Sequence, residues 1–155
     1  MTEALSSPKK DEWIKAMKEE LEFIKTNKVW DLVDLPSGRK AIGNKWILKF
    51  KRKLDGSIER HKARLVAKGF TQEAGIDYEE TFLPVVKFTS IRLFLAVVAR
   101  LDLELHQTDV KTAFLNGELK EEIHIEQPIG FVVKGQEKKV CKLNKSIYGL
   151  KQFSG

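Results

Sequence analysis

The residues whose types are best suited to chemistry lie in the octapeptide 109–116. This octapeptide follows a stretch of alternating apolar and polar residues at 103–108. Leu103 and Leu105 would point to one face of a strand, so this strand is expected to end at a sheet edge or cleft. Asp109 would then stand at that edge, where its carboxylate could hold a divalent cation. A single Asp after a strand also commonly caps a turn or a helix, and both interpretations stay open at this point.

The residues after Asp109 are suited to contacts with phosphate and sugar groups. Thr112 and Ala113 are small, so backbone N–H groups could approach phosphate oxygens, and the flat ring of Phe114 could form a wall beside a sugar. No other catalytic set competes with this one. The chain lacks a Gly-rich phosphate loop, and His61, His106 and Cys141 do not have the sequence spacing of metal ligands.

A second feature is the strongly basic segment 45–68, which carries nine basic residues against two acidic ones, while the rest of the chain is close to neutral. Two runs, 45–54 and 57–67, are joined by Asp55-Gly56, a dipeptide that favours a two-residue β-hairpin turn. In the first run apolar residues alternate with lysines. One face of the hairpin is therefore expected to be apolar and the other partly cationic.

Such a hairpin could bind the phosphates of a nucleic acid or a nucleotide, because its cations spread over both strands and Trp46 and Phe50 interleave with them. The net charge of +6 also raises the expectation of a polyanionic partner. The alternative is a solvated strand face, since Lys and Arg usually lie in water. Charge segregation favours phosphate binding without excluding that alternative.

Hydrophobic periodicity predicts the elements around these two features. Residues 7–26 are expected to form an amphipathic helix that Ser7 caps, with Trp13, Met17, Leu21 and Ile24 on one stripe. A second helix is expected over 90–101, capped by Thr89 or Ser90, and four of its apolar residues are expected to point inward: Ile91, Phe94, Leu95 and Val98.

Shorter elements are predicted between and after these helices. Strands are expected at 29–33, 122–127 and 139–143, and a further helix is expected to begin within 144–152. Turn residues stand at Pro36-Ser37-Gly38 and Pro128-Ile129-Gly130. The adjacent acids Glu121-Glu122 would face apart on a strand and are expected to be solvated.

The bulk properties are those of one intracellular, soluble domain. The 155 residues, 42% of them hydrophobic, suffice for a single core. Residues 1–7 show no secretory signal, and the longest apolar run, Leu93–Ala99, is far too short to span a membrane. A lone cysteine permits no intramolecular disulfide. Cytoplasmic and nuclear locations are not distinguishable, and no membrane partner is expected.

Seven ordered motifs resemble those of copia-type retrotransposon reverse transcriptases, which are parts of retrovirus-related Pol polyproteins. They cover roughly residues 5–152. They are Trp46-Ile47-Leu48-Lys49-Phe50-Lys51, Lys62 to Gln72, Gly75-Ile76-Asp77-Tyr78, Thr81 to Val86, Gln107 to Gly117, Gln127 to Phe131, and Tyr148-Gly149-Leu150-Lys151-Gln152.

The resemblance implies an α+β fold, the fingers and partial palm of a right-hand polymerase, with an antiparallel sheet and packing helices. The chain would form the first part of the reverse transcriptase domain, with fingers at about 29–87 and the start of the palm at about 88–152. The implied activity is RNA-directed DNA synthesis. The implied partners are an RNA template, a DNA primer and deoxynucleoside triphosphates.

The resemblance also assigns roles to residues. Asp109 would be the first catalytic and metal-binding aspartate, and Phe114 would be the steric gate that excludes a ribose 2′-hydroxyl. The other nucleotide-binding positions would be Lys49, Lys51, Lys62, Arg64, Lys111, Thr112, Ala113 and Gly149. Gly149 would let the template or base pair approach the backbone.

Two Mg²⁺ ions serve this chemistry in the family, and they need more than one carboxylate. The family supplies the others from a downstream Tyr-x-Asp-Asp hairpin, whereas these residues contain no Asp-Asp pair. The later palm, the thumb and the ribonuclease H domain are also missing, and Phe153-Ser154-Gly155 stands where the family continues Ser-Pro. The chain is therefore expected to be a truncated fragment that is inactive alone. The alternative is a non-catalytic nucleic-acid-binding remnant.

Overall fold

The computed structural model describes residues 6–78, 87–106, 108, 119 and 121–151. These residues form a mixed fold of helices and antiparallel strands, which confirms the α+β class. In chain order the elements are α1 (Lys10–Thr26), β1 (Trp30–Val33), β2 (Asn44–Arg52), β3 (Ile58–Ala67), a 3₁₀ turn (Gly69–Thr71), α2 (Phe88–Arg100), β4 (His124–Ile125) and β5 (Val140–Leu143).

The strands form two sheets that meet at Ile42. One sheet has the order β1-β5-β4 with antiparallel pairing, and the other is the β2–β3 hairpin. Ile42, just before β2, forms a parallel bridge to Ile125 of β4, and its N–H donates to the His124 carbonyl at 2.8 Å. The short sheet therefore holds the base of the hairpin.

Helix α1 covers the apolar face of the hairpin. Trp13 packs its ring against Phe50 and His61, with ring centroids 4.9 and 4.5 Å away, and Met17 is 1% exposed. The predicted stripe is thus confirmed, but the predicted start is not. The helix begins at Lys10 and is preceded by Lys9, which makes no side-chain cap, while the Lys10 N–H donates to the Ser7 carbonyl at 3.1 Å.

The hairpin turn differs from the two-residue turn predicted at Asp55-Gly56. Lys53 N–H donates to Ser57 O and Gly56 N–H donates to Lys53 O, so the loop has three residues. Only Gly56 has positive φ, at 82°, whereas the predicted turn needs two such residues. The Asp55 carboxylate instead accepts bonds from the Ser57 N–H and hydroxyl at 2.8 and 2.6 Å.

Helix α2 has its predicted periodicity but not the predicted burial. It begins at Phe88, after Lys87, without a side-chain cap from Thr89 or Ser90. None of its residues is buried. Among those expected to point inward, Ile91 is 44% exposed and Phe94 59% exposed. The expected burial was wrong, because it was inferred from the amphipathic pattern alone. No described element packs against the apolar face of α2.

The strand predicted at 103–108 is absent from the described residues of that segment, where Leu103 and Leu105 remain more than half exposed. Alternation defines two faces, but a strand also needs a neighbour to pair with. The strand predicted at 122–127 is confirmed only over His124–Ile125, and its flanking Ile123 is fully buried. The strands predicted near 29–33 and 139–143 are confirmed as β1 and β5.

The helix predicted within 144–152 is wrong over 144–150, where the chain has a bend at Asn144, a bridge at Lys145 and a turn at Tyr148 and Gly149. Asn144 and Lys145 both direct their N–H groups to the Val29 carbonyl. Gly149 has φ +89°, a left-handed conformation that no helix accommodates. In the part of the chain that the structure describes, we find no helix with the length and apolarity to cross a membrane.

Candidate nucleic-acid interface

The register of β2 and β3 collects six cations on one face of the hairpin. Lys49 lies directly opposite Lys62, and Lys51 lies opposite Arg60. Alternate residues of a strand share a face, so the remaining members follow from the same register. We call this surface the cationic face; its members are Lys45, Lys49, Lys51, Arg60, Lys62 and Arg64.

The opposite face explains why the cations are segregated. Trp46, Ala63 and Leu65 point to the α1 side and are at most 8% exposed. The Trp46 indole N–H is satisfied by the Ile129 carbonyl at 3.2 Å. Because the period of a strand is two residues, burying these side chains directs the intervening lysines and arginines to the other face.

Like charges that lie opposite each other destabilise a sheet unless an anion intervenes. In the described residues no carboxylate lies within 4.0 Å of the cationic face. The pKa of Lys62 is lowered by burial first, and then by the charges of Arg64, Arg60 and Lys51. The three neighbouring cations thus add to the effect of burial, whereas the charge of Glu20 acts against it.

Glu20 of α1 is the acid that interacts electrostatically with this face. Burial raises its pKa, while a hydrogen bond from the Leu65 N–H at 3.4 Å and the charges of Lys62 and Arg64 act in the opposite direction. Its carboxylate therefore accepts from the free edge of β3 instead of forming an ion pair. Within the described residues Glu20 offsets this charge only in part, which leaves cations of the face available to an external anion.

A segment distant in sequence borders the cationic face. Residues 146–151, which we call the strap, run beside the end of β3, and Tyr148 O accepts the Ala67 N–H bond at 2.8 Å. A Cβ on Gly149 would lie 2.3 Å from Ala67 O and 2.6 Å from Cγ1 of Val66. Glycine is therefore required at this position by protein packing, before any contact with a nucleic acid is considered.

The structure brings together part of the predicted site. Lys49, Lys51, Lys62 and Arg64 share the cationic face, and Gly149 borders it. The remaining predicted positions lie outside the described residues; they are Asp109, Lys111, Thr112, Ala113 and Phe114. Their catalytic, metal-binding and nucleotide-binding roles stay predictions.

Three residues of the interface were not among the predicted site residues. Lys45 and Arg60 could have been found from alternation alone, because Lys45 shares its face with Lys49 and Arg60 shares its face with Lys62. Tyr148 could not, because only the tertiary structure places its ring 5.0 Å from Cζ of Arg64.

Glu122 was predicted to be a solvated acid, and it is exposed, but it also lies at the centre of a group of charged side chains. Its carboxylate lies 3.7 Å from Arg39, 3.5 Å from Lys142 and 3.8 Å from the imidazole of His124. Burial lowers the pKa of His124, and the nearby Glu122 acts against that change. The side chains of Arg39 and Lys142 are partly exposed, which is typical of a structural ion-pair cluster at a sheet edge.

The described residues contain no group of three or more His, Cys, Asp or Glu residues that could hold a metal ion. Cys141 is 1% exposed, and burial raises the pKa of its thiol to about 12, so it remains protonated at neutral pH. The chemistry of the described surface is therefore electrostatic, with arginine and lysine as its functional groups.

Known proteins of one family are similar in sequence to this chain. Residues 27–154 match the family model described as reverse transcriptase (RNA-dependent DNA polymerase). The chain is 55% identical over 152 residues to the retrovirus-related Pol polyprotein from transposon TNT 1-94 of Nicotiana tabacum. This match covers 98% of the chain and 11% of that protein.

Two further relatives extend the match. The corresponding polyprotein from transposon RE2 of Arabidopsis thaliana is 47% identical over 96% of this chain and 10% of its own length. The Ty1-ER2 Gag-Pol polyprotein of Saccharomyces cerevisiae is 33% identical over 92% of this chain and 8% of its own. No solved structure matches the chain. The chain spans about a tenth of the tobacco relative, and it belongs to the reverse transcriptase family of retrotransposon Pol polyproteins.

Proposed function

We propose that this chain forms the fingers and the beginning of the palm of an RNA-directed DNA polymerase, and that its cationic face binds phosphates of the nucleic acid or the incoming nucleotide. The observation that carries the proposal is the register of β2 and β3. It places six cations on one face with no carboxylate within 4.0 Å among the described residues.

The arrangement suits a flexible polyanion. Opposite side chains such as Lys49 and Lys62 have Cβ atoms about 5 Å apart, and residues two apart along a strand are separated by roughly 6.7 Å. Phosphate oxygens can therefore approach several ammonium and guanidinium groups at once. A phosphate between two opposing cations also relieves the repulsion that the folded hairpin otherwise retains.

The catalytic part of the proposal concerns Asp109. Its carboxylate oxygen is the donor type that Mg²⁺ prefers, but one carboxylate does not hold two ions. Two bound ions would steady the attacking 3′-hydroxyl and the leaving pyrophosphate. These 155 residues contain no Asp-Asp pair, so we propose that the polypeptide as it stands does not extend a primer. Phe114 remains the proposed sugar gate.

The phosphate-binding proposal is tested by fluorescence anisotropy of the 155-residue chain with a labelled single-stranded oligonucleotide at several salt concentrations. Four phosphate contacts predict a log–log salt slope of about −3. The variant with alanine at Lys49, Lys51, Lys62 and Arg64 is expected to lose most of the binding and most of the slope.

A matched control removes the same charge elsewhere. Alanine at the exposed residues Lys15, Lys18, Lys134 and Lys138 lowers the net charge equally but leaves the cationic face intact. This variant is expected to bind nearly as the wild type does. Equal loss in both variants would mean that net charge alone drives binding, and the assignment of the cationic face would be wrong.

The catalytic proposal has a separate test. A primer-extension assay with the 155-residue chain and Mg²⁺ is expected to give no product above background. Fusion of residues 1–152 to the remaining palm and thumb of a full-length relative is expected to restore synthesis, and Asp109→Asn is expected to abolish it. Product from the unfused chain that disappears in Asp109→Asn would show that these residues suffice.

A further inference from the structure

The ring of Tyr148 faces the guanidinium of Arg64 at the edge of the cationic face. Cζ of Arg64 lies 5.0 Å from the ring centroid, well within the distance at which the negative face of an aromatic ring attracts a cation. The two residues are 84 positions apart in sequence and meet only because the strap runs beside β3. Both side chains are partly exposed, so the guanidinium remains accessible.

The strap holds Tyr148 firmly in this position. Its carbonyl accepts the Ala67 N–H bond, and its neighbours Ile147 and Leu150 are 3% and 0% exposed. Further along, the Lys151 N–H donates to Oε1 of Gln72 at 2.7 Å. The tyrosine ring is thus carried by a segment that is hydrogen-bonded to the end of β3 at Ala67 and to Gln72, just beyond the 3₁₀ turn.

An aromatic ring, unlike a carboxylate, can hold a cation in place without neutralising its charge. Arg64 shares its face with Arg60 and Lys62, whose like charges repel it. An acidic partner would hold Arg64 but would also cancel the charge that a phosphate requires. The ring attracts the guanidinium without neutralising it, so that the orientation and the charge of Arg64 are both preserved.

We propose that Tyr148 is a positioning residue, which orients the guanidinium of Arg64 at the edge of the cationic face for bidentate binding of a phosphate group. This inference rests on the proposed phosphate-binding function of that face. It assigns to the strap a role in anion binding that acts through Arg64, without direct contact between Tyr148 and the nucleic acid.

A double-mutant cycle tests the proposal, with anisotropy of a labelled single-stranded oligonucleotide as the readout. Tyr148→Leu is expected to weaken binding about two- to fivefold, the effect of an exposed cation–π contact. Tyr148→Phe keeps the ring face and is expected to bind as the wild type does. In an Arg64→Ala background, Tyr148→Leu is expected to have no further effect.

Arg64→Lys provides a variant that keeps the positive charge and changes only a partly exposed side chain. It is expected to weaken binding about as much as Tyr148→Leu, because an ammonium lacks the planar, bidentate geometry of the guanidinium. Nuclear magnetic resonance of the Arg64 Nε group adds a structural readout. Its ring-current shift is expected to persist in Tyr148→Phe and to vanish in Tyr148→Leu.

The outcomes separate this inference from the function on which it rests. If alanine at the four cations abolishes binding while Tyr148→Leu and Arg64→Lys leave it unchanged, the role of Tyr148 is wrong and the phosphate-binding face stands. If Tyr148→Leu weakens binding equally in the Arg64→Ala background, Tyr148 does not act through Arg64. If alanine at the four cations changes nothing, the proposed function and this inference both fail.

Discussion

The β2–β3 hairpin and helix α2 both carry a pronounced apolar face, but among the described residues only the face of the hairpin is covered. Leu65 of the hairpin is 1% exposed beneath α1, whereas Leu93 of α2 is 68% exposed. The same residue type thus has two physical roles in one molecule. The difference teaches that amphipathic periodicity specifies an element and its faces, while the presence of a cover depends on other elements.

The hairpin also has strict backbone requirements where the strap packs against the end of β3. The largest expected effect on stability tests these requirements. Gly149→Ala would place Cβ 2.3 Å from Ala67 O at a residue with φ +89°. Steric overlap and backbone strain together are expected to lower the free energy of unfolding by about 4 kcal/mol. Urea denaturation followed by circular dichroism measures this change.

Gly56→Ala is the matched control for that variant. Gly56 has φ +82°, but a Cβ there would meet no atom within 4 Å. Only the strain of the left-handed conformation applies, so a loss of about 1 kcal/mol is expected. Equal losses at the two glycines would show that the strap does not pack against β3 as described.

The next effect compares the two apolar faces directly. Leu65→Ala is expected to cost about 3 kcal/mol, because it removes a buried side chain and leaves a cavity. Leu93→Ala is expected to cost less than about 0.5 kcal/mol, because that side chain is mostly in water already. Denaturation midpoints measure both variants. A large loss in Leu93→Ala would mean that the α2 face is covered in solution.

Two histidines extend the comparison to pH. Each lies near a glutamate two residues earlier, at 3.7 Å for Glu104–His106 and 3.8 Å for Glu122–His124, yet the His106 side chain is 85% exposed and that of His124 is 2% exposed. Burial lowers the pKa of His124 from its ordinary 6.5. The folded state then binds this proton less readily than the unfolded state does.

The sign of the pH effect follows from that difference. Neutral His124 makes its full contribution to the free energy of unfolding above pH 6.5. This contribution is lost as the pH falls from 6.5 through the lower pKa of the folded state. His124→Gln is expected to flatten this part of the stability profile. His106→Gln, at an exposed side chain, is expected to change the free energy of unfolding little. Urea denaturation at a series of pH values provides the measurement.

The smallest effect on stability is expected for polar substitution of the uncovered face. Leu93→Gln combined with Phe94→Gln should change the free energy of unfolding by less than about 0.5 kcal/mol. The same variant should bind less of the dye ANS, because an exposed apolar patch is lost. Arg92→Gln on the same helix is the control. ANS binding that stays at the wild-type level would place the exposed apolar surface elsewhere.

Predictions from sequence were confirmed where the residue pattern of a single helix or hairpin was sufficient to specify its faces. The stripe from Trp13 to Ile24 predicted the buried face of α1, and the alternation in β2 predicted a hairpin with one apolar and one cationic face. The exact loop was beyond prediction, because Asp55 takes negative φ once its carboxylate bonds to Ser57.

Expectations failed where the outcome depended on distant partners. The segment 144–150 was predicted to be a helix, but its backbone instead bonds to the single carbonyl of Val29 and to the N–H group of Ala67. The burial of α2 was predicted from its own pattern alone. A helix or strand pattern contains no information about whether another part of the chain supplies its cover or its hydrogen bonds.

The sequence by itself determined the family, through ordered motifs, and the segregation of positive charge in residues 45–68, because both are properties of consecutive residues. Only the tertiary structure decided that Lys49 faces Lys62, that Gly149 must be glycine against Ala67, and that Tyr148 meets Arg64. These depend on strand register and on the path of the strap. Both are set by packing and backbone hydrogen bonds between residues far apart in the chain.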